Sequence, residues 1–173
     1  WLVLHDLDAP EAVDQLREAL ALRQRWLSDD DRLVQVSRNN LARNLARHGR
    51  FSEAKALYER ALEALGSDPC EVGMAVHNNL ASLAMAQERP EVALVELKNA
   101  ERLAELSLGE HHPRRGELLQ NLAFVTEQLG DLQTAEAHYR MALALMQAAW
   151  GLEDPRTREC QQTLAAFLAD HQR

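Results

Sequence analysis

One spacing constrains this chain more than any other feature. The dipeptide Leu-Ala recurs at Leu41-Ala42, Leu80-Ala81, Leu122-Ala123 and Leu164-Ala165, at intervals of 39, 42 and 42 residues. Thirteen residues after each of the first three leucines stands an alanine (Ala54, Ala93, Ala135). Four residues on is a large side chain (Tyr58, Leu97, Tyr139), and three beyond that another alanine (Ala61, Ala100, Ala142). The trio Ala12, Leu16, Ala19 lies 42 residues before its counterpart. Steps of three and four put these residues on one helical face, and alternating small and large side chains lets two antiparallel helices approach closely. Each unit therefore reads as a helix pair, helix A carrying Leu-Ala and helix B the small-large-small trio. An internal repeat of this length predicts an all-α solenoid.

Glycine and proline punctuate the pattern where such pairs need turns. Between A and B lie His48-Gly49-Arg50, Glu88-Arg89-Pro90 and Gly130-Asp131. Between B and the next A come Leu65-Gly66-Ser67-Asp68-Pro69, the run from Leu108 through His112 to Pro113, and the run from Trp150 through Asp154 to Pro155. Glycine supplies a left-handed C-terminal position, and proline after an aspartate starts a helix, so Asp68 and Asp154 are expected as N-caps. The first linker, residues 27–31, has neither glycine nor proline. The B helices are expected near 9–27, 52–65, 90–107 and 132–149, and the A helices near 32–48, 70–87, 113–129 and 155–170. Residues 1–6 read as the tail of a further A helix. The 39-residue interval implies a second B helix one turn shorter, offset by two extra residues in the A helix that follows.

The runs Asn39-Asn40-Leu41-Ala42, Asn78-Asn79-Leu80-Ala81 and Gln120-Asn121-Leu122-Ala123, with the linker Leu108-Gly109-Glu110-His111-His112-Pro113, resemble tetratricopeptide repeats. The likeness is to the 42-residue variety found in kinesin light chains and related bacterial proteins. It covers essentially the whole chain and implies a right-handed superhelix of antiparallel pairs. Its parts would be a partial repeat at 1–31, repeats at 32–69, 70–112 and 113–154, and a final A helix at 155–173. The departures are Glu88-Arg89-Pro90 in place of a glycine turn, and Gln162-Thr163 where asparagines are expected.

The resemblance also implies that the A helices line a concave groove that clamps an extended peptide. Positions two before, one before, two after and five or six after the reference leucine would face inward. These are Asn39, Asn40, Arg43 and Arg47; then Asn78, Asn79, Ser82 and Met85; then Gln120, Asn121, Phe124 and Glu127; and last Gln162, Thr163, Ala166 and Asp170. Asparagine is a poor interior helix residue because it competes for backbone hydrogen bonds, so its recurrence at one register asks for a reason. One reason is a ladder of amides offered to a peptide backbone. Another is that one member of each pair bonds a neighbouring helix. Arg43 and Arg47 at one end, with Glu127 and Asp170 at the other, would orient a bound peptide by charge. Phe124 and Met85 are candidates for an apolar pocket.

Composition narrows the function classes. A formal net charge of -8 argues against nucleic acid, whose binding needs a basic face. No apolar run approaches the ~20 residues that span a bilayer, and the start at Trp1 carries neither a signal-peptide pattern nor a methionine. A cytoplasmic piece of a longer polypeptide is the expectation. Cys70 and Cys160 form no CxxC pair, and His111-His112 lacks further ligands at metal-binding spacing, so no metal and no cofactor are expected. No phosphate loop, nucleophile elbow or zinc-protease helix is present, and no enzyme is expected. The function that fits is a scaffold holding a protein or peptide partner in the concave groove. A peptide-responsive sensor domain of a larger signalling protein is an alternative. So is a self-assembly module joined through the solenoid ends, where Leu164, Phe167 and Leu168 would need covering.

Overall fold

The structure is a computed structural model that describes residues 11–171, and the expected A-helix tail at residues 1–6 lies outside them. Among the described residues there are eight helices and no strand: α1 (Glu11–Trp26), α2 (Arg32–Arg47), α3 (Phe51–Leu65), α4 (Glu71–Ala86), α5 (Pro90–Leu108), α6 (Pro113–Gln128), α7 (Leu132–Trp150) and α8 (Pro155–His171). Each helix packs on its chain neighbours, most extensively within the pairs α2/α3, α4/α5 and α6/α7, and α2 also packs on α4. This is an all-α solenoid, with A helices α2, α4, α6 and α8 and B helices α1, α3, α5 and α7.

The small-large-small trio forms the seam of each pair. Ala54, Ala61, Ala93, Ala100, Ala135 and Ala142 are fully buried, with Tyr58, Leu97 and Tyr139 between them. Alanine at these positions brings backbones together, and the large side chain fills the space left over. Burial pushes the Tyr58 phenol well above its ordinary value. Two members of the pattern depart from it. Ala19 and Ala165 are exposed, because α1 and α8 are each packed on one side only among the described residues. Leu164, Phe167 and Leu168 do not form a bare end. They turn inward against Ala123, Ala135 and Tyr139, with Phe167 only 5% exposed and its ring centroid 5.3 Å from that of Tyr139.

The A-to-B turns share the same two closing hydrogen bonds. Arg50 N donates to Leu45 O at 2.9 Å, Arg89 N to Ala84 O at 3.0 Å and Asp131 N to Thr126 O at 3.0 Å. Inside each, Gly49 N, Glu88 N and Gly130 N donate to Ala46 O, Met85 O and Glu127 O. This double closure of the helix end requires a left-handed residue. Gly49 (φ 75) and Gly130 (φ 82) supply it, and Glu88 (φ 57) adopts it without being glycine.

The 39-residue repeat arises from the shorter B helix expected, but the offset lies elsewhere. α3 has 15 residues against 19 in α5 and α7, a turn less. The A helix after it is not longer: α2, α4 and α6 all have 16 residues. The linker between α3 and α4 takes up the difference. Asp68 is therefore not the N-cap of α4. Cys70 is, its Sγ accepting from Gly73 N at 3.4 Å, and Pro69 stands outside the helix. In α6 and α8 the proline does open the helix. His112 caps α6 through Nδ1, and the Asp154 carboxylate accepts from Arg156 N at 2.9 Å.

The first linker, lacking glycine and proline, is held by buried polar side chains. Arg38 is 1% exposed, and its guanidinium donates to Gln35 Oε1 at 2.9 Å, to Asp29 O at 3.2 Å and to the Asp29 carboxylate. The Gln35 amide donates to the carbonyls of Asp29 and Asp31, and the Asp31 side chain caps α2 at Leu33 N. Arg115 does the same for the third linker, reaching Glu110 O and Glu101.

Candidate functional site: the groove along the A helices

Three adjoining cavities run along α2, α4 and α6. The first, about 220 Å3, lies over the α2/α3 pair and the end of α4, between Arg43, Arg47, Phe51, Tyr58, Asn79, Ser82 and Leu83. The middle one, about 340 Å3, is polar and floored by Asn39, Asn78, Asn79 and Asn121, with Arg43, Ala75, Arg114 and Glu117 around it. The third, about 260 Å3, is apolar and lined by Ala81, Met85, Leu97, Phe124 and Val125, with Ser82 and Asn121 at its edge. Arg43 and Asn79 belong to both the first and the middle cavity, Asn121 to the middle and the third, and Ser82 to the first and the third.

The asparagines bond one another between neighbouring A helices, and Asn39, Asn78, Asn79 and Asn121 also border the middle cavity. Asn79 Nδ2 donates to Asn39 Oδ1 at 2.8 Å, and Asn121 Nδ2 donates to Asn78 Oδ1 at 2.7 Å. The second asparagine of one A helix thus bonds the first asparagine of the A helix before it. Asn39 is pushed out of the groove wall into its floor, at 8% exposure. Asn78 and Asn79 are half-buried and Asn121 is exposed. The ladder stops at α8, where the Thr163 hydroxyl turns back on its own helix and donates to Glu159 O at 3.0 Å.

The other expected positions divide. Arg43, Arg47, Ser82, Met85 and Phe124 border the cavities, and Met85 and Phe124 share the apolar one. Ser82 Oγ donates to Asn78 O at 3.2 Å. Asn40 and Gln120 are half-buried and border none of the three, nor do Gln162, Thr163, Ala166 and Asp170 on α8. Glu127 is not a free acidic terminus for the groove. Its carboxylate accepts from Tyr139 Oη at 3.1 Å and bonds His171 Nε2 at 3.0 Å, which ties α6 to α7 and α8. Of the charges expected at the two ends, Arg43 and Arg47 border a cavity, and Glu127 and Asp170 border none of the three.

Five residues of the middle cavity escaped the sequence reading: Met74 and Ala75 of α4, and Arg114, Glu117 and Leu118 of α6. Ala75 and Glu117 stand four residues before Asn79 and Asn121, one helical turn back on the same face. Extending the inward register by that turn finds both. Arg114 pairs with Glu71 across the mouth of the cavity.

The residues that could carry chemistry have structural employment. His112 is a helix cap, and burial pushes the Cys160 thiol up to about 11, so it stays protonated at neutral pH. Among the described residues no three His, Cys, Asp or Glu side chains gather as a metal site, and no helix is long and apolar enough to cross a membrane.

Helix pairs in single file, A helices side by side with B helices, define a helical-repeat protein. The family model described as Tetratricopeptide repeat matches residues 3–67 and 74–148, and the chain belongs to that family. Members of it generally mediate protein–protein interactions. Among solved structures the chain is similar to BtubC (BKLC) from P. vanneervenii, with a TM-score of 0.77 and 22% identity over 92% of this chain, spanning 64% of that one. It is also similar to a Podosopora anserina structure of nearly identical TPR-like repeats assigned to a kinesin light chain. There the TM-score is 0.74 at 23% identity, over 94% of this chain and 79% of the other. At these identities the likeness shows the fold alone. No curated protein matches the chain.

Proposed function

We propose that this chain is one continuous repeat array serving as a scaffold, and that it holds an extended segment of a protein partner in the groove along α2, α4 and α6. The observation that carries this reading is the continuity of the three cavities, which share Arg43, Asn79, Ser82 and Asn121: a mainly apolar one rimmed by Arg43 and Arg47, a polar one, and a second apolar one. A groove of that kind offers an extended chain a cationic rim, amides for its backbone and a socket for one apolar side chain. The net charge of -8 sets the scaffold against nucleic-acid partners, and the groove brings together no catalytic constellation.

Alanine at the asparagines is a poor test, since it also cuts the bonds between A helices. Ser82 is better, being exposed and bordering two cavities, so Ser82→Arg fills the groove while leaving the amide ladder in place. A photo-cross-linking amino acid at Phe124 is expected to capture a partner from cells of the source organism, and Ser82→Arg to abolish that capture. The same label at Leu106, exposed on α5 away from the groove, is the control. Capture from Leu106 alone would place the working surface elsewhere.

A further inference from the structure

We propose that the start of α6 is a proton-sensitive joint, in which the His112 imidazole holds the first helical turn at neutral pH and releases it in acid. The observation is the direction of one hydrogen bond. Arg114 N donates to His112 Nδ1 at 3.2 Å. A backbone N–H gives a proton and accepts none, so Nδ1 carries a bare lone pair and the ring hydrogen sits on Nε2. A second proton on the ring goes to that lone pair. The acceptor then becomes a donor, and a cation stands at the positive end of the helix dipole, facing an N–H it no longer binds.

The other A helices isolate what is particular to this one. The Asp31 carboxylate caps α2 at Leu33 N, 2.8 Å away, and the Asp154 carboxylate accepts from Arg156 N of α8 at 2.9 Å. A carboxylate stays ionised down to about pH 4, and its negative charge suits a helix start. Cys70 caps α4 through Sγ, which accepts with its proton in place. An imidazole changes from acceptor to donor near pH ~6.5, between neutral and mildly acid conditions. Pro113 sharpens the dependence. It brings no N–H to the first turn, and Arg115 N is already satisfied by His112 O at 3.0 Å, so the cap has a single donor to serve at Arg114.

The rest of this corner is held by groups that keep their charge over the same range. The Arg115 guanidinium donates to Glu110 O and pairs with Glu101 of α5, and Arg114 pairs with Glu71 of α4. The remaining titratable groups are Glu110 and His111 of the linker, both exposed, and His138 of α7, which feels the charge of Glu101. Glu71 and Glu101 each answer an arginine already, and Glu110 acts through solvent, so little offsets the cation on His112. Release therefore frays Pro113 and Arg114 and stops at the anchored Arg115. Arg114 borders the middle cavity, so acid loosens the mouth of the groove at α6 and leaves the Arg43 end as it is. The joint itself does not depend on the groove reading.

Nitrogen NMR of the imidazole reads the tautomer directly. In slightly alkaline solution His112 is expected to carry its hydrogen on Nε2, and a hydrogen on Nδ1 would overturn the proposal. Protection of the Arg114 amide from solvent exchange, corrected for the intrinsic effect of pH, should fall about fivefold between about pH 7.5 and about pH 5.5, the scale of one helix cap. Protection at Leu33 and Arg156, under carboxylate caps, should hold. His112→Asp is expected to keep Arg114 protected at both pH values, and His112→Ala to leave it unprotected at both. His111→Gln and His138→Gln should retain the wild-type response. A response that persists in His112→Asp, disappears in either glutamine variant, or extends equally to Leu33 and Arg156 would assign the effect elsewhere and overturn the proposal. So would equal protection of Arg114 at the two pH values in the wild-type chain. None of these outcomes bears on the groove, which Ser82→Arg tests separately.

Discussion

Glu88 is the residue whose local conformation sits worst with its chemistry. It holds φ 57 in a turn where its two counterparts are glycines. A left-handed residue with a Cβ costs roughly 1 kcal/mol, against which glycine loses somewhat more backbone entropy on folding. The turn already shares the two closing hydrogen bonds of the others, so nothing else need change. Glu88→Gly is expected to stabilise the chain by about 0.5–1 kcal/mol in urea unfolding, and a loss of stability would show that the Glu88 side chain makes a compensating contact. The asparagines show how much of the groove was legible from sequence at this scale. Their recurrence at one register was plain, and so was the need for a reason. That the doublet on α4 faces two ways, Asn79 backward and Asn78 forward, was not, because bonds such as Asn79 to Asn39 depend on how one helix is rotated against the next. Glu127 was misread for a similar cause: its partners Tyr139 and His171 lie 12 and 44 residues away, on other helices.

Among the elements, helix identities and order were readable from the Leu-Ala register, and boundaries fell within a few residues. The error at α4 is instructive. Pro69 and Asp68 carry a strong helix-start signal, yet the helix begins at Glu71 under a cysteine cap. A linker lengthened after the shortened α3 moved the signal outside the helix, and only the packing of α4 shows where the helix starts. Close packing also sets the sign of a substitution that propensity alone would get wrong. Gly116 lies inside α6, where alanine is ordinarily worth up to ~1 kcal/mol more than glycine. A Cβ there would meet Met146 Cγ at 3.1 Å and Ala142 O, a backbone atom of α7, at 3.3 Å. Methionine can give way but a helix carbonyl cannot, so α6 and α7 must separate slightly. Gly116→Ala is expected to destabilise by about 1–2 kcal/mol in thermal or denaturant unfolding, and a stabilised variant would mean that the pair is less tightly packed than described.

Over the whole molecule, acid sensitivity is shared between capping and linker carboxylates and one half-buried helix histidine. The Asp29 carboxyl, bonded to Arg38, and Asp154, bonded to Arg156, are held below the ordinary 3.8, as is Asp131, bonded to Thr134. A carboxyl depressed in the folded state contributes stability above its unfolded value and loses it as pH falls through the folded value. His138 acts in the same direction over a higher range. Burial holds it below 6.5, and its buried Nδ1 has no hydrogen bond among the described residues. The unfolded chain therefore takes up that proton first, and stability falls as pH drops below 6.5. Melting temperature against pH is expected to decline in two stages, one below 6.5 and a steeper one below about 4. His138→Gln should flatten the first stage, and Asp154→Asn, which keeps a capping oxygen, should soften the second. A profile unchanged by both would remove these groups from the account.

The two-way asparagine doublet has one more consequence, for how such a chain can grow. A helix with Asn-Asn before its Leu-Ala is a plug toward the unit before it and a socket toward the unit after it, as Asn78 and Asn79 show on α4. A duplicated unit would arrive with its own joint on both sides and could be spliced in without redesigning its neighbours. The same logic marks where copying of this joint ceased. Gln120 and Thr163 replace the asparagines on either side of the α6–α8 step, and Thr163 spends its hydroxyl on its own helix. Extra units should be tolerated between α2 and α6, where the connectors match, and resisted after α6, where they do not.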